Sequence, residues 1–133
     1  MARIKLQRKG FSLIELLIVI AIIGIIATIA IPILLSARIG AVNEKARNSL
    51  RSLVTGQQAY YAANGSYGSL AQLSTSTPAY IDTALASGTL SSGITITCTP
   101  SGQTFTATAT TPAGTGYKDF ATDETGLITE TVK

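Results

Sequence analysis

A run of 25 residues, Phe11 to Leu35, carries a single charge, Glu15, and limits what this chain can be more than any other feature. A bilayer core of about 30 Å calls for roughly 20 apolar residues in a helix. Leu16 to Leu35 supplies that many, interrupted only by Gly24, Thr28 and Pro32. The segment before the run, MARIKLQRKG, is short and basic and ends in glycine. A basic flank of this kind stays in the cytoplasm while the remainder faces outward. An ordinary secretory signal is the first competitor, but it is cut after an apolar stretch of only about 7 to 15 residues. Here the stretch is longer and the candidate break lies in front of it.

The 133 residues leave room for one small globular domain beyond that span. The formal charge of +3 comes from the first ten positions, where Arg3, Lys5, Arg8 and Lys9 meet no acid. Without them six basic residues face seven acids, so the high pI belongs to the leader, and no specific nucleic-acid partner is expected. One cysteine, Cys98, excludes an internal disulfide scaffold. Lack of histidine removes the usual general base and the commonest zinc ligand. With no phosphate loop or nucleophile elbow, the chain reads as a non-enzyme without metal or cofactor.

From Ser36 to about Ala63, the residues Ile39, Val42, Ala46, Leu50, Leu53 and Tyr60 recur at steps of three, four or seven, which places them on one helical stripe. Arg38, Glu44, Arg47 and Arg51 lie off it, with Glu44 and Arg47 spaced to pair weakly. One continuous helix is predicted from roughly Phe11 to Ala63, apolar in its first half and amphipathic in its second. Asn64-Gly65 is a stop signal. Pro32 lacks an N–H and crowds the carbonyl of Thr28, so a kink or loosening is expected there, with Gly24 adding weak propensity. A short helix near Ser69 to Leu73 is possible in the connection that follows. After Gly93 the period becomes two, in Ile94 to Thr99 and again from Phe105 to Ala109, with Pro100 to Gln103 as the turn between them. Further strands are predicted around Tyr117 to Thr122 and Gly126 to Val132, joined by a turn at Asp123 to Gly126. The result is an α+β chain: a long N-terminal helix whose second half covers an antiparallel sheet of three or four strands.

The stretch Lys9-Gly10-Phe11-Ser12-Leu13-Ile14-Glu15-Leu16-Leu17-Ile18-Val19-Ile20 resembles the start of type IV prepilins and of type II secretion pseudopilins. The resemblance covers about 25 residues; beyond it the chain matches the family only in layout. It implies the pilin fold, cleavage after Gly10 by a prepilin peptidase, and N-methylation of Phe11. The short leader and Phe11 look more like the type IVa class. It also implies a precursor in the inner membrane and a homopolymer at the cell surface, built by an assembly ATPase and an inner-membrane platform. In related filaments the acid matching Glu15 is thought to meet the N-terminal amine of a neighbour, and the helix between the positions of Gly24 and Pro32 is melted after assembly. The chain accordingly divides into a leader (1–10), an apolar helix for membrane and filament core (11–35), an amphipathic helix half (36–63) and a globular head (64–133).

The physical chemistry of Glu15 agrees. A carboxylate in hydrocarbon costs roughly 2.5 to 3.5 kcal/mol on insertion scales, and cleavage after Gly10 would create a cationic partner at Phe11. A plain signal anchor with Glu15 near the membrane surface is the simpler alternative. Two alternative functions accompany the pilus subunit: a pseudopilin forming a short periplasmic piston, and a signal-anchored surface enzyme.

Other features read as structural. Asp119, Asp123 and Glu124 cluster in an expected turn without calcium-loop spacing; calcium binding near the C-terminus would be expected of a major pseudopilin. Cys98 is expected to point inward, and the C-terminal disulfide of many type IVa pilins cannot form. Asn64-Gly65-Ser66 matches a glycosylation triplet but equally suits a helix end. Tyr60, Tyr61 and Tyr67 are expected to pack the helix onto the sheet rather than to conduct electrons.

Overall fold

The computed structural model describes residue 2 and residues 9–133. The basic leader residues Arg3, Lys5 and Arg8 lie outside the described residues. Two compact units are present, Met1–Leu35 and Ser36–Lys133. Helix α1 runs from Leu13 to Asn64 and contains Pro32. Phe11 and Ser12 precede it, so the helix begins two residues later than the periodicity indicates, because Ser12 caps its first turn. The Oγ of Ser12 accepts the N–H of Glu15 at 3.2 Å, and its carbonyl accepts the N–H of Leu16 at 3.3 Å. This satisfies a donor that the first turn otherwise leaves open. At the far end, the N–H of Gly65 bonds to the carbonyl of Tyr61 at 2.7 Å with φ +74, a conformation that glycine adopts at little cost.

In the second unit the stripe on α1 behaves as its spacing requires. Val42, Ala46, Leu50 and Leu53 are buried, while Ile39 and Tyr60 are half-buried. Val42, Ala46, Leu50 and Leu53, with Tyr60 against them, share one core cluster with Ile94, Ile96, Phe105, Ala107, Ala109 and Phe120 of the sheet. Ala46, Ala107 and Ala109 are fully or almost fully buried, and their small side chains bring helix and strands close together. Two short helices fill the connection. Helix α2 (Leu70–Thr75) starts with a capping box, Ser69 accepting from the Gln72 N–H and the Gln72 side chain accepting from the Ser69 N–H. Helix α3 (Thr83–Ala86), which the periodicity did not reveal, is capped by Asp82.

The sheet is an antiparallel meander, β1 (Thr89–Leu90), β2 (Ile94–Ser101), β3 (Thr104–Thr110), β4 (Lys118–Asp123) and β5 (Thr129–Val132), in sequence order. It therefore has one strand more than the three or four expected, because β1 is a two-residue strand too short to show a period. Pro100 belongs to β2, opposite Phe105, and not to the turn. The N–H of Ile96 bonds toward β1, to Gly88, so the nitrogen of Pro100, four residues on, faces the same side, beyond the end of β1, where no ladder bond is lost. The turn is instead Gly102-Gln103, with φ +64 at Gly102, the first central position where type II′ hairpins use glycine. The β4–β5 connection begins with the expected turn, the N–H of Gly126 bonding to the Asp123 carbonyl at 3.0 Å. β5 is shorter than expected, starting at Thr129.

Two amides on α1 fasten the helix to the head. Asn43 donates to the Gly116 carbonyl and accepts the N–H of Lys118, both at 3.0 Å. Gln57, fully buried, donates to the Gly68 carbonyl and accepts the Gly68 N–H. Each amide satisfies one backbone donor and one backbone acceptor, those of Gly68 for Gln57, and the Lys118 N–H at the start of β4 with the Gly116 carbonyl before it for Asn43.

Candidate functional site

Two places in the chain gather charged or reactive groups. The first is the start of α1. Among the described residues this is the one helix long and apolar enough to cross a membrane. Its large apolar residues from Leu13 to Leu35 all face outward, and Phe11 is 87% exposed. Glu15 sits in the first turn of the helix with an exposed side chain and no ion-pair partner among the described residues. A carboxylate there also suits the positive end of the helix dipole. Ser12 and Glu15 form the S-x-x-E spacing of a helix start, a signal that stands in the sequence itself.

Gly10 and Gly24 have nothing within 4 Å of where a Cβ would stand. Neither has a positive φ. The folded chain therefore makes no local demand for glycine at either position. Gly24 and Pro32 both lie inside α1, and the hydroxyl of Thr28 bonds back to the Gly24 carbonyl at 2.8 Å. The carbonyl of Thr28 loses its usual donor, because residue 32 is proline. The structure brings Phe11, Ser12 and Glu15 together at the helix start and leaves Gly24 and Pro32 further along the same element.

The second place is a charged cluster on the head. Arg47 reaches Glu130 at 2.7 Å, Lys118 reaches the other oxygen of Glu130 at 2.9 Å, and the guanidinium of Arg47 lies 5.4 Å from the ring centre of Phe120. The bond from Lys118, with help from Arg47, holds the Glu130 carboxyl below its usual range. The expected Glu44–Arg47 pair is present but long, 3.9 Å. No spacing rule could find Glu130, since it lies 83 positions from Arg47.

The remaining sequence candidates are consumed by the fold. Asp119 is not in a turn; it lies in β4, bonded to the N–H of Thr111 at 2.8 Å and facing Lys133 at 2.9 Å. Burial raises its pKa, but the bonds from Lys133 and Thr111 outweigh that and leave it lowered. Asp123 accepts the N–H of Thr125 at 2.9 Å within the β4–β5 turn. No group of three or more metal-ligating side chains occurs among the described residues. Cys98 is half-buried, its sulfur 3.2 Å from the Gln57 amide, and burial pushes its thiol pKa up. Tyr67 packs on Phe105 and Tyr61, and Tyr60 meets Tyr80 edge-on, as expected of core anchors.

Comparison with known proteins adds to the geometry. The family model described as the prokaryotic N-terminal methylation motif matches residues 5–31. The type IV major pilin protein PilA of Myxococcus xanthus is 37% identical over 70 residues, 53% of this chain and 32% of that protein. The type IV wide pilus major component PilA4 of Thermus thermophilus is 51% identical over 59 residues, 44% of this chain and 45% of that protein. The chain thus spans less than half the length of either relative in the matched stretches. Both relatives are named as pilus components, so the pseudopilin alternative is not favoured. Motif, relatives and the architecture of one long helix with an antiparallel sheet together support the reading of a type IV pilin precursor.

Proposed function

We propose that this chain is the repeating structural subunit of a type IV pilus, cut after Gly10, N-methylated at Phe11 and polymerised through α1. The observation that carries the reading is Glu15, the lone acid among residues 11–35, exposed in the first turn of α1 where the large apolar residues up to Leu35 all face outward. Removal of residues 1–10 leaves an ammonium on Phe11, four residues from Glu15. In a bundle of such helices, the amine of one copy and Glu15 of another neutralise each other in a medium where either charge alone is costly. The pair then sets the axial register of assembly.

The glycine at position 10 fits the same reading, since an external peptidase reads it where the fold does not need it. The precursor rests in the inner membrane, and the polymer is displayed at the cell surface. Exchange of lipid for protein around residues 11–35 gains little hydrophobic energy, so an assembly ATPase and a membrane platform drive the step. The stretch between Gly24 and Pro32, already one backbone bond short, is where the helix opens in the filament.

The test is Glu15→Ala in cells. Its leader should still be removed, and surface filaments should be absent. Normal filaments from that variant would remove Glu15 from assembly.

A further inference from the structure

Glu44 and Arg51 stand seven residues apart on α1. A heptad brings an α-helix back to within about 20° of the starting face, so the two opposite charges share one side of the helix. Both are exposed. Glu44, with a side chain 63% exposed, has only the 3.9 Å approach of an arginine that is committed to Glu130 at 2.7 Å. Arg51 has no ion-pair partner among the described residues. Open grooves flank it on both sides, one walled by Leu127 and Ile128, the other by Ala79 and Tyr80. Leu127 is 68% exposed. On the helix face that runs on from Arg51, Thr55 is short and Gln58, seven residues past Arg51, stands exposed, with Ser52 and Ala59 to one side.

An acid and a base two helical turns apart on one face are complementary to the same face of another copy. In parallel copies, a shift of seven residues brings the base of one beside the acid of the other. The copies are parallel in the proposed pilus, because each enters the membrane by the same basic flank. We propose that this face of α1 is a contact between neighbouring subunits, in which Arg51 of one copy meets Glu44 of the next at an axial offset of about 10.5 Å, seven steps of about 1.5 Å. The inference rests on the pilus-subunit reading and adds the residues by which the heads register. Enclosure between the two copies shields the pair from salt more than an exposed pair would be. Leu127 then loses its exposure against the neighbour.

The experiment is a charge exchange in the full chain: Glu44→Arg, Arg51→Glu and the double variant. Subunit level and N-terminal processing in the membrane fraction report folding, and sheared surface filaments report assembly. Each single variant should lower filament yield by about tenfold or more, since it sets like charges against each other in every contact. The double variant should restore the yield to within about twofold of the unaltered chain, because the complementarity is merely reversed. Single variants with normal yield overturn the contact, and so do defective singles that the double fails to rescue. A second measurement uses Glu44→Cys with Arg51→Cys in a Cys98→Ser background. The two positions are too far apart along one helix for a disulfide within a copy, so a ladder of crosslinked subunits is expected from filaments, and monomers alone overturn the proposal. If the unaltered chain itself makes no filaments, the parent reading fails and this contact with it. If those filaments form and the variants behave normally, only the contact fails.

Discussion

Replacing Gln57 by leucine should cost the head a large part of its stability. The side chain is fully buried, and its amide is the partner of both the N–H and the carbonyl of Gly68. Leucine fills a similar volume, so the change removes polar pairing more than packing. Two backbone groups of a buried glycine are then left without partners, each costing about 1 to 3 kcal/mol. The expected loss is therefore about 2 to 6 kcal/mol, against a total of about 5 to 15 kcal/mol for an ordinary domain. Rearrangement of the loop to admit water is the main way to reduce the cost. That route is narrow, since a Cβ at Gly68 would already stand 2.8 Å from Leu73 and 2.9 Å from Tyr60. The chain has no tryptophan, and Tyr60, Tyr61 and Tyr67 lie around this loop, so near-ultraviolet circular dichroism of the tyrosines is the natural probe. Urea titration of the full chain in detergent should show a lower midpoint with an unchanged slope. A Gln57→Leu midpoint indistinguishable from the unaltered protein would refute the claim that the amide is the essential partner of Gly68.

Other expectations follow from single contacts. Gly56→Ala would place a Cβ 2.7 Å from Ile81 Cγ2 and 2.9 Å from the Tyr80 carbonyl, and should lower stability by about 1 to 3 kcal/mol in the same titration. Thr122→Val should raise stability by about 1 kcal/mol, seen as a higher midpoint, because the buried Thr122 hydroxyl has no hydrogen-bond partner among the described residues. Glu130 has its pKa lowered from 4.5 chiefly by the bond from Lys118, so its contribution is full above the unfolded value and is lost as pH falls through the lower folded one. Amide chemical shifts of Thr129 to Thr131 should therefore titrate below the ordinary glutamate range, and Glu130→Gln should abolish that step.

The parts of this fold that were legible are those where a pattern repeats. The stripe from Ile39 to Tyr60 exposed its period over many turns, and the alternation of Ile94, Ile96 and Cys98 with threonines marked a strand with one inward face. Gly65 and Gly126 announced a helix end and a turn because a positive φ selects glycine. Short or distant features left no such trace. β1 and α3 are held by their neighbours, and two or four residues cannot display a period. Pro100 was placed in a turn by propensity, whereas its position beside an open stretch of β2 removes the usual penalty. The contacts Arg47–Glu130, Asn43–Gly116 and Gln57–Gly68 join residues that only the folded chain makes neighbours. At the candidate site the balance reverses, since Gly10, Phe11 and Glu15 were recognised from a contiguous motif. The cap at Ser12 is legible too, from its S-x-x-E spacing.

The proposed pairing of a new amine at Phe11 with Glu15 is tested by the mass of the subunit in filaments sheared from cells. The subunit should begin at Phe11 and carry one methyl group on its amine. A filament subunit that still begins at Met1 would leave Glu15 without its cation and contradict the pairing.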